Sequence, residues 1–222
     1  MPSVDRRDTN WCLITGTTSS GKTTLCESLS GRGAMVTPEV TRLLFSSLME
    51  RGVTRERLEA NDHEVRNLVL DHVLLLHERL AAASSATIFF DRGLIDQFAF
   101  FGISGIADSS RIVREATTVR YQHVFVLEPL QFVPDGIRTE DPERRRRLHD
   151  LILKYSEALG YDPILVPALA PDDRVEFVLR AMGQLRPTGS HQRVADAVDA
   201  MRRSVESLDP RSILRLGCPT SS

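Results

Sequence analysis

One octapeptide constrains this 222-residue chain more than any other stretch: Gly16-Thr17-Thr18-Ser19-Ser20-Gly21-Lys22-Thr23. It fits the pattern G-x-x-x-x-G-K-[ST], the phosphate-binding P-loop. Its flanks fit as well. The apolar run Trp11-Cys12-Leu13-Ile14 reads as a strand, and Thr24-Leu25-Cys26-Glu27-Ser28-Leu29 as the first turns of a helix. The glycines let the backbone bend round a phosphate, and the loop amides of Gly16 through Thr24 can point inward at the anion. The helix N-terminus adds partial positive charge. Lys22 is placed to reach the β- and γ-phosphates of ATP, and the Thr23 hydroxyl to ligate Mg2+.

The lysine stands out against its background. Lysine and arginine together number 28, yet Lys22 and Lys154 are the only lysines. A chain that uses arginine almost everywhere keeps a compact ammonium where the motif asks for one.

Apolar runs at 11–15, 34–37, 87–91, 123–128 and 163–166 alternate with helical patterns. This alternation predicts a three-layer α/β fold, a doubly wound parallel sheet of P-loop NTPase type. One helix is expected after Pro38, with Val40, Leu43, Leu44 and Leu48 inward. A single long helix is expected from about Thr54 to Ala83, with Val65, Leu68, Val69, Val73, Leu76 and Leu80 on one stripe. His72 shares that stripe and reads as a core residue. Further helices are expected over 93–102, from Asp108, from Asp141 (an N-cap followed by proline) and from Pro171. The organisation expected is a polar tail over 1–10, an ATP-binding domain over 11–185, and over 186–222 a linker followed by an amphipathic helix. That last helix can dock on the domain, bind a partner or pack loosely.

A net charge of −2 gives no broad basic surface for nucleic acid. No apolar run approaches the length of a membrane span, and Met1 to Asn10 hold no signal-peptide core. Cys12, Cys26 and Cys218 lack metal-ligand spacing and read as reduced thiols of a cytoplasmic protein. A homodimer is compatible with this composition.

Three segments add chemistry to the P-loop. Ile88-Phe89-Phe90-Asp91-Arg92-Gly93 is a strand ending in a carboxylate, which P-loop proteins use to hold the Mg2+ shell. Arg92 follows it as a candidate phosphoryl clamp. Thr37-Pro38-Glu39 ends the second strand. Glu39 there either takes a proton from an attacking hydroxyl or complements the dipole of the helix it opens. Asp135-Gly136-Ile137-Arg138, followed by Arg144 to Arg147, reads as an arginine-bearing flap, with Arg138 the preferred clamp and at most two of the four helical arginines able to face one phosphate. Guanine-reading Asn-Lys-x-Asp or Thr-Lys-x-Asp is missing, which argues against a Ras-like GTPase. The chain is also too short for a full AAA+ module with its lid.

Together the loop G-T-T-S-S-G-K-T-T-L, T-P-E-V-T-R, F-F-D-R-G-L-I-D, V-F-V-L-E-P, D-G-I-R-T-E and I-L-V-P with a following D-R-V resemble the NadR-type P-loop ATPase family, which is filed under the AAA name. That family is similar to ribosylnicotinamide kinase and, more distantly, to deoxynucleoside and thymidylate kinases. The resemblance covers about residues 11–183. It implies ATP phosphates on Gly16 to Thr24 and Mg2+ on Thr23 and Asp91. It also implies an acceptor near Glu39, phosphate on Arg92 and a flap carrying Arg138. Nucleoside kinases often have Asp-Arg-Ser where this chain has Asp91-Arg92-Gly93. The expected activity is phosphoryl transfer from ATP to a small nucleoside-like acceptor. The rival expectation is a regulatory ATPase that switches a partner surface.

Overall fold

The structure, a computed structural model, describes residues 7–83, 85–106, 110–116, 118–129, 141–183 and 191–210. At its centre is a parallel five-stranded sheet. In chain order its strands are β2 (Trp11–Gly16), β3 (Met35–Thr37), β4 (Ile88–Asp91), β6 (His123–Leu127) and β7 (Ile164–Val166), and in space they run β3-β4-β2-β6-β7. A two-residue pair, β1 (Arg7–Asp8) with β5 (Val119–Arg120), lies outside that sheet. Ile14 registers with Asp91, and Gly16 with Leu127, so the strand ends that carry the sequence motifs lie side by side. All five strands fall where the apolar runs predict them.

Side-chain alternation divides the central strands between two cores. Trp11, Leu13, Ile88, Phe90, Val124 and Val126 face one way. They pack against α2 (Val40–Glu50), α4 (Asp62–Leu80), α5 (Leu94–Ile103), α7 (Pro142–Ala158) and α9 (His191–Ser207). Cys12, Ile14, Phe89, Phe125 and Leu127 face the other way, against α1 (Lys22–Gly31) and α8 (Pro171–Ala181). The result is the three-layer, doubly wound architecture read from the sequence. The short helices α3 (Arg55–Ala60) and α6 (Ser110–Ala116) complete the described elements.

The helix expected over 54–83 is divided. The Thr54 side chain caps α3 by accepting from the Arg57 amide. Asn61 then leaves the helical region (φ −113°, ψ 37°), its side chain donating to the Arg57 carbonyl at 2.7 Å. A short polar side chain that bonds its own backbone competes with helix continuation, and hydrophobic periodicity does not register it. The far end tightens into a 3-10 turn at Ala81–Ala83.

The tail helix α9 is docked. Val194, Ala197, Met201 and Val205 are buried in the larger core. Arg51, at the end of α2, donates to the carbonyls of Val205, Glu206 and Leu208. A guanidinium thereby satisfies carbonyls that the helix end leaves open. Among the described residues no helix is long and apolar enough to cross a membrane.

Candidate active site

The site forms where β2, β3 and β4 end together. Gly16 leaves β2 at φ 141°, and a β-carbon there would sit 2.9 Å from the Leu127 carbonyl oxygen. Both the backbone angle and the space require glycine. Ser19 follows in the left-handed region at φ 58°. Lys22, only 5% exposed, folds over this loop, its Nζ donating to the carbonyls of Gly16 (3.0 Å) and Thr17 (2.5 Å) and to Ser20 Oγ (3.3 Å). Burial above all, with Arg92 second, lowers its pKa to about 7 against the pull of Asp96, Glu39 and Asp91. A phosphate brought here would favour the charged ammonium.

Asp91 closes β4 and is 7% exposed, and its Oδ1 has no hydrogen-bond partner. Burial, then the nearby Glu39 charge, raises its pKa to about 6. A buried carboxylate oxygen left open beside the P-loop fits a hard divalent cation, which takes oxygen ligands. Among the described residues no group of three His, Cys, Asp or Glu side chains is arranged as a metal site. That suits Mg2+, which is commonly held by one or two protein groups together with phosphate oxygens and water. The Thr23 hydroxyl, the other candidate ligand, accepts from Arg42 Nη2 at 3.1 Å.

Arg92 sits in the left-handed region at φ 70°, where a bulky residue costs about 1–3 kcal/mol. Its guanidinium explains what holds it there. Nε donates to Glu39 Oε1 at 2.9 Å, and Nη1 to Asp96 Oδ1 at 2.9 Å and to the Gly16 carbonyl at 3.2 Å. Glu39 therefore meets Arg92 on one oxygen and Arg42, at 3.4 Å, on the other. It is the residue just before α2, in extended geometry, and its side chain accepts no amide of that helix. Lys22, Glu39, Asp91 and Arg92 thus come together from three separate strand ends, with Glu39 and Arg92 as an ion pair. Arg138 lies outside the described residues. Of the four consecutive arginines that follow it, Arg144 and Arg145 line the cleft.

The periodicity of the sequence does not reveal Asp96 or Arg174. Asp96, fully buried, takes Thr15 Oγ1 at 2.7 Å and Arg92 on one oxygen, and the Gly93 amide at 3.0 Å on the other. The available signal is an acid at the third position of a helix whose cap is glycine. Arg174 bonds the carbonyls of Ser20, Pro167 and Glu128, which ties the P-loop to the ends of β6 and β7. Only the fold brings those carbonyls together. Gly93 is also explained. A β-carbon on it would lie 2.3 Å from the Tyr121 hydroxyl, so the serine common in nucleoside kinases does not fit.

From the P-loop an open cleft of about 1380 Å³ runs between α2, α4, α5 and α7. Phe45, Leu58, Phe100 and Ile103 give it apolar surface, and it is lined by Arg42, Arg55, Arg66, Arg144 and Arg145 together with the acids Glu59, Asp62 and Asp141. Polar and charged side chains outnumber apolar ones, a lining suited to a polar small molecule.

The family model described as AAA domain matches residues 11–174. This chain belongs to that family. No curated protein sequence matches it. Solved structures match the AAA domain chain at low identity. Deoxyadenosine kinase from M. mycoides, with products dCMP and a flexible dCDP bound, is 14% identical over 78% of this chain and 98% of its own, with a TM-score of 0.55. The same enzyme with bound dATP gives 15%, 78%, 99% and 0.53. NadR protein in complex with NR is 17% identical over 80% of this chain and 52% of its own, with a TM-score of 0.56, so this chain spans about half of NadR. These likenesses show a shared fold.

Proposed function

We propose that this AAA domain protein binds Mg-ATP at the P-loop and transfers the γ-phosphoryl group to a hydroxyl of a small nucleoside-like acceptor. The observation that carries the reading is the position of Glu39. Its carboxylate is fixed by Arg92 and Arg42 between the P-loop and a cleft far larger than a hydrolytic water needs. The fold shared with a deoxyadenosine kinase and with NadR supports the same reading.

Catalysis of this kind is mostly positioning and charge stabilisation. Lys22 leaves the loop carbonyls for the β- and γ-phosphate oxygens. Arg92, anchored by Asp96, presents its guanidinium at the edge of the P-loop. The acceptor hydroxyl attacks the γ-phosphorus in line. Its O–P bond forms, its proton passes to Glu39, and the bond to the β-phosphate oxygen breaks with its electron pair leaving on ADP. Mg2+ bound by Thr23 and Asp91 would neutralise charge on the β- and γ-phosphates.

ADP release from Mg-ATP, alone and with nucleosides, nucleotides and ribosylnicotinamide, tests the reading, with Lys22→Ala as the blank. Strong stimulation by one compound supports it. A slow basal rate unmoved by the whole panel favours the rival, a nucleotide-gated switch. One observation speaks for that rival: α2 carries Arg42 in the cleft and is followed directly by Arg51, which bonds the end of the tail helix, so one element links cleft and tail.

A further inference from the structure

Arg66, on the α4 wall of the cleft, has no role in the mechanism above. It is 9% exposed and lines the cleft. Its Nε is 3.0 Å from Asp62 Oδ1, an ion-pair distance, yet that nitrogen is buried without a hydrogen-bond partner because the angle is poor. The other Asp62 oxygen is taken by the Ser104 hydroxyl. The guanidinium carbon lies 4.4 Å from the centre of the Phe100 ring, over which Arg92 also lies, at 5.2 Å. Burial lowers the Arg66 pKa, Asp62 opposes that, and the nearby Arg144 adds to it.

A guanidinium offers five N–H donors in a rigid fork. The Arg66 Nε is buried without a hydrogen-bond partner, and an oxyanion entering the cleft would meet the fork bidentately. Arg66 is carried by α4 on the cleft wall, whereas Arg92 follows the end of β4 beside the P-loop. Arg66 is therefore suited to hold a part of the acceptor other than its attacking hydroxyl, and Arg144 adds a second cation. A phosphate monoester, with its extra charge and three acceptor oxygens, uses both. We infer that the acceptor is itself phosphorylated, a nucleotide or sugar phosphate whose phosphate rests on Arg66 and Arg144 while a free hydroxyl reaches Glu39. This deepens the kinase reading and rests on it.

The test uses the full chain and matched compounds: nucleosides against their 5′- and 3′-monophosphates, and ribose against ribose 5-phosphate. Each is titrated calorimetrically into protein saturated with magnesium and a non-hydrolysable ATP analogue, and each is also assayed for ADP release from Mg-ATP. One phosphorylated member should bind at least about tenfold tighter than its neutral partner, and Arg66→Met should weaken that binding about 10–100-fold. Arg66→Lys should fall between, and the neutral partner's affinity should change little. The two arms separate a nucleotide from a sugar phosphate. Arg144→Gln, an exposed change, should weaken the same compound less, which covers the case of a poorly folded Arg66 variant. Equal binding of both members, no binding by any phosphorylated compound, or indifference to both arginine changes would overturn the inference. Arg66-dependent binding without stimulated ADP release would instead uphold the anion site and defeat the kinase reading.

Discussion

Two buried polar clusters meet at Gly93 and treat their charges in opposite ways. On the core side, His77 packs tilted against Trp11 and edge-on to Phe90 and Tyr121, with ring centres 5.1–5.8 Å apart, and its Nε2 lies 3.0 Å from the Tyr121 hydroxyl. Burial lowers the His77 pKa to about 4, so the ring stays neutral. On the cleft side, Lys22, Glu39, Arg92 and Asp96 remain a network of opposite charges, and Asp91 is left with an open oxygen. The first cluster removes its charge, so that the one ring nitrogen it leaves without a hydrogen-bond partner, Nδ1, belongs to a neutral group. The second keeps its charges, and the open oxygen and the fold of Lys22 over carbonyls leave it incomplete without a ligand. Buried polarity alone does not separate structure from function, whereas the way the charge is settled does.

The largest expected effect lies on the cleft side. Glu39→Gln should lower acceptor-dependent turnover about 10²–10⁴-fold while Mg-ATP still binds in calorimetry. Full turnover in that variant would remove Glu39 from the acceptor side. Lys22→Ala should abolish tight Mg-ATP binding and leave the far-UV spectrum unchanged, since its bonds are to loop carbonyls that water can satisfy.

The two clusters should also respond to pH in opposite directions. The folded-state pKa of His77 is depressed, so its contribution to stability is present above its ordinary pKa of 6.5 and is lost as pH falls through about 4. The loss is up to about 3 kcal/mol, and His77→Gln should flatten that limb of denaturant-midpoint curves. The folded-state pKa of Asp91 is raised, so its contribution is present below its ordinary pKa of 3.8 and is lost as pH rises through about 6. Asp91→Asn should therefore stabilise the ligand-free protein above pH 6, by up to about 3 kcal/mol, with the gain vanishing toward pH 4. The same variant should weaken Mg-ATP binding. A stability gain that persists unchanged at pH 4 would mean that the Asp91 charge is not its source.

The smallest effect probes the boundary. Gly93→Ser should cost about 1–3 kcal/mol by forcing its β-carbon onto the Tyr121 hydroxyl. Adding Tyr121→Phe should recover part of that loss in a double-mutant cycle. If the two changes simply add, the hydroxyl is not what excludes a side chain from position 93.

Much of this molecule was legible in the chain because its signals are local. Strand–loop–helix around Gly16 to Thr23, the apolar runs that became five parallel strands, and the Asp141-Pro142 helix start, with Asp141 accepting from the Glu143 amide, each depend on residues a few positions apart. The division of the 54–83 helix was harder to read, because hydrophobic period is insensitive to a cap. Arg92 was legible as a cation beside a phosphate site, but not as a residue held by Glu39 and Asp96. By itself the sequence determined the fold class and the phosphate loop, since both follow from short-range backbone geometry and side-chain periodicity. Only the tertiary structure decided which strand ends share one cluster, why position 93 is glycine, and that Arg66 is buried on the wall of the cleft. Those are contacts between distant segments, set by sheet order and by the packing of helices that carry no trace of one another in sequence.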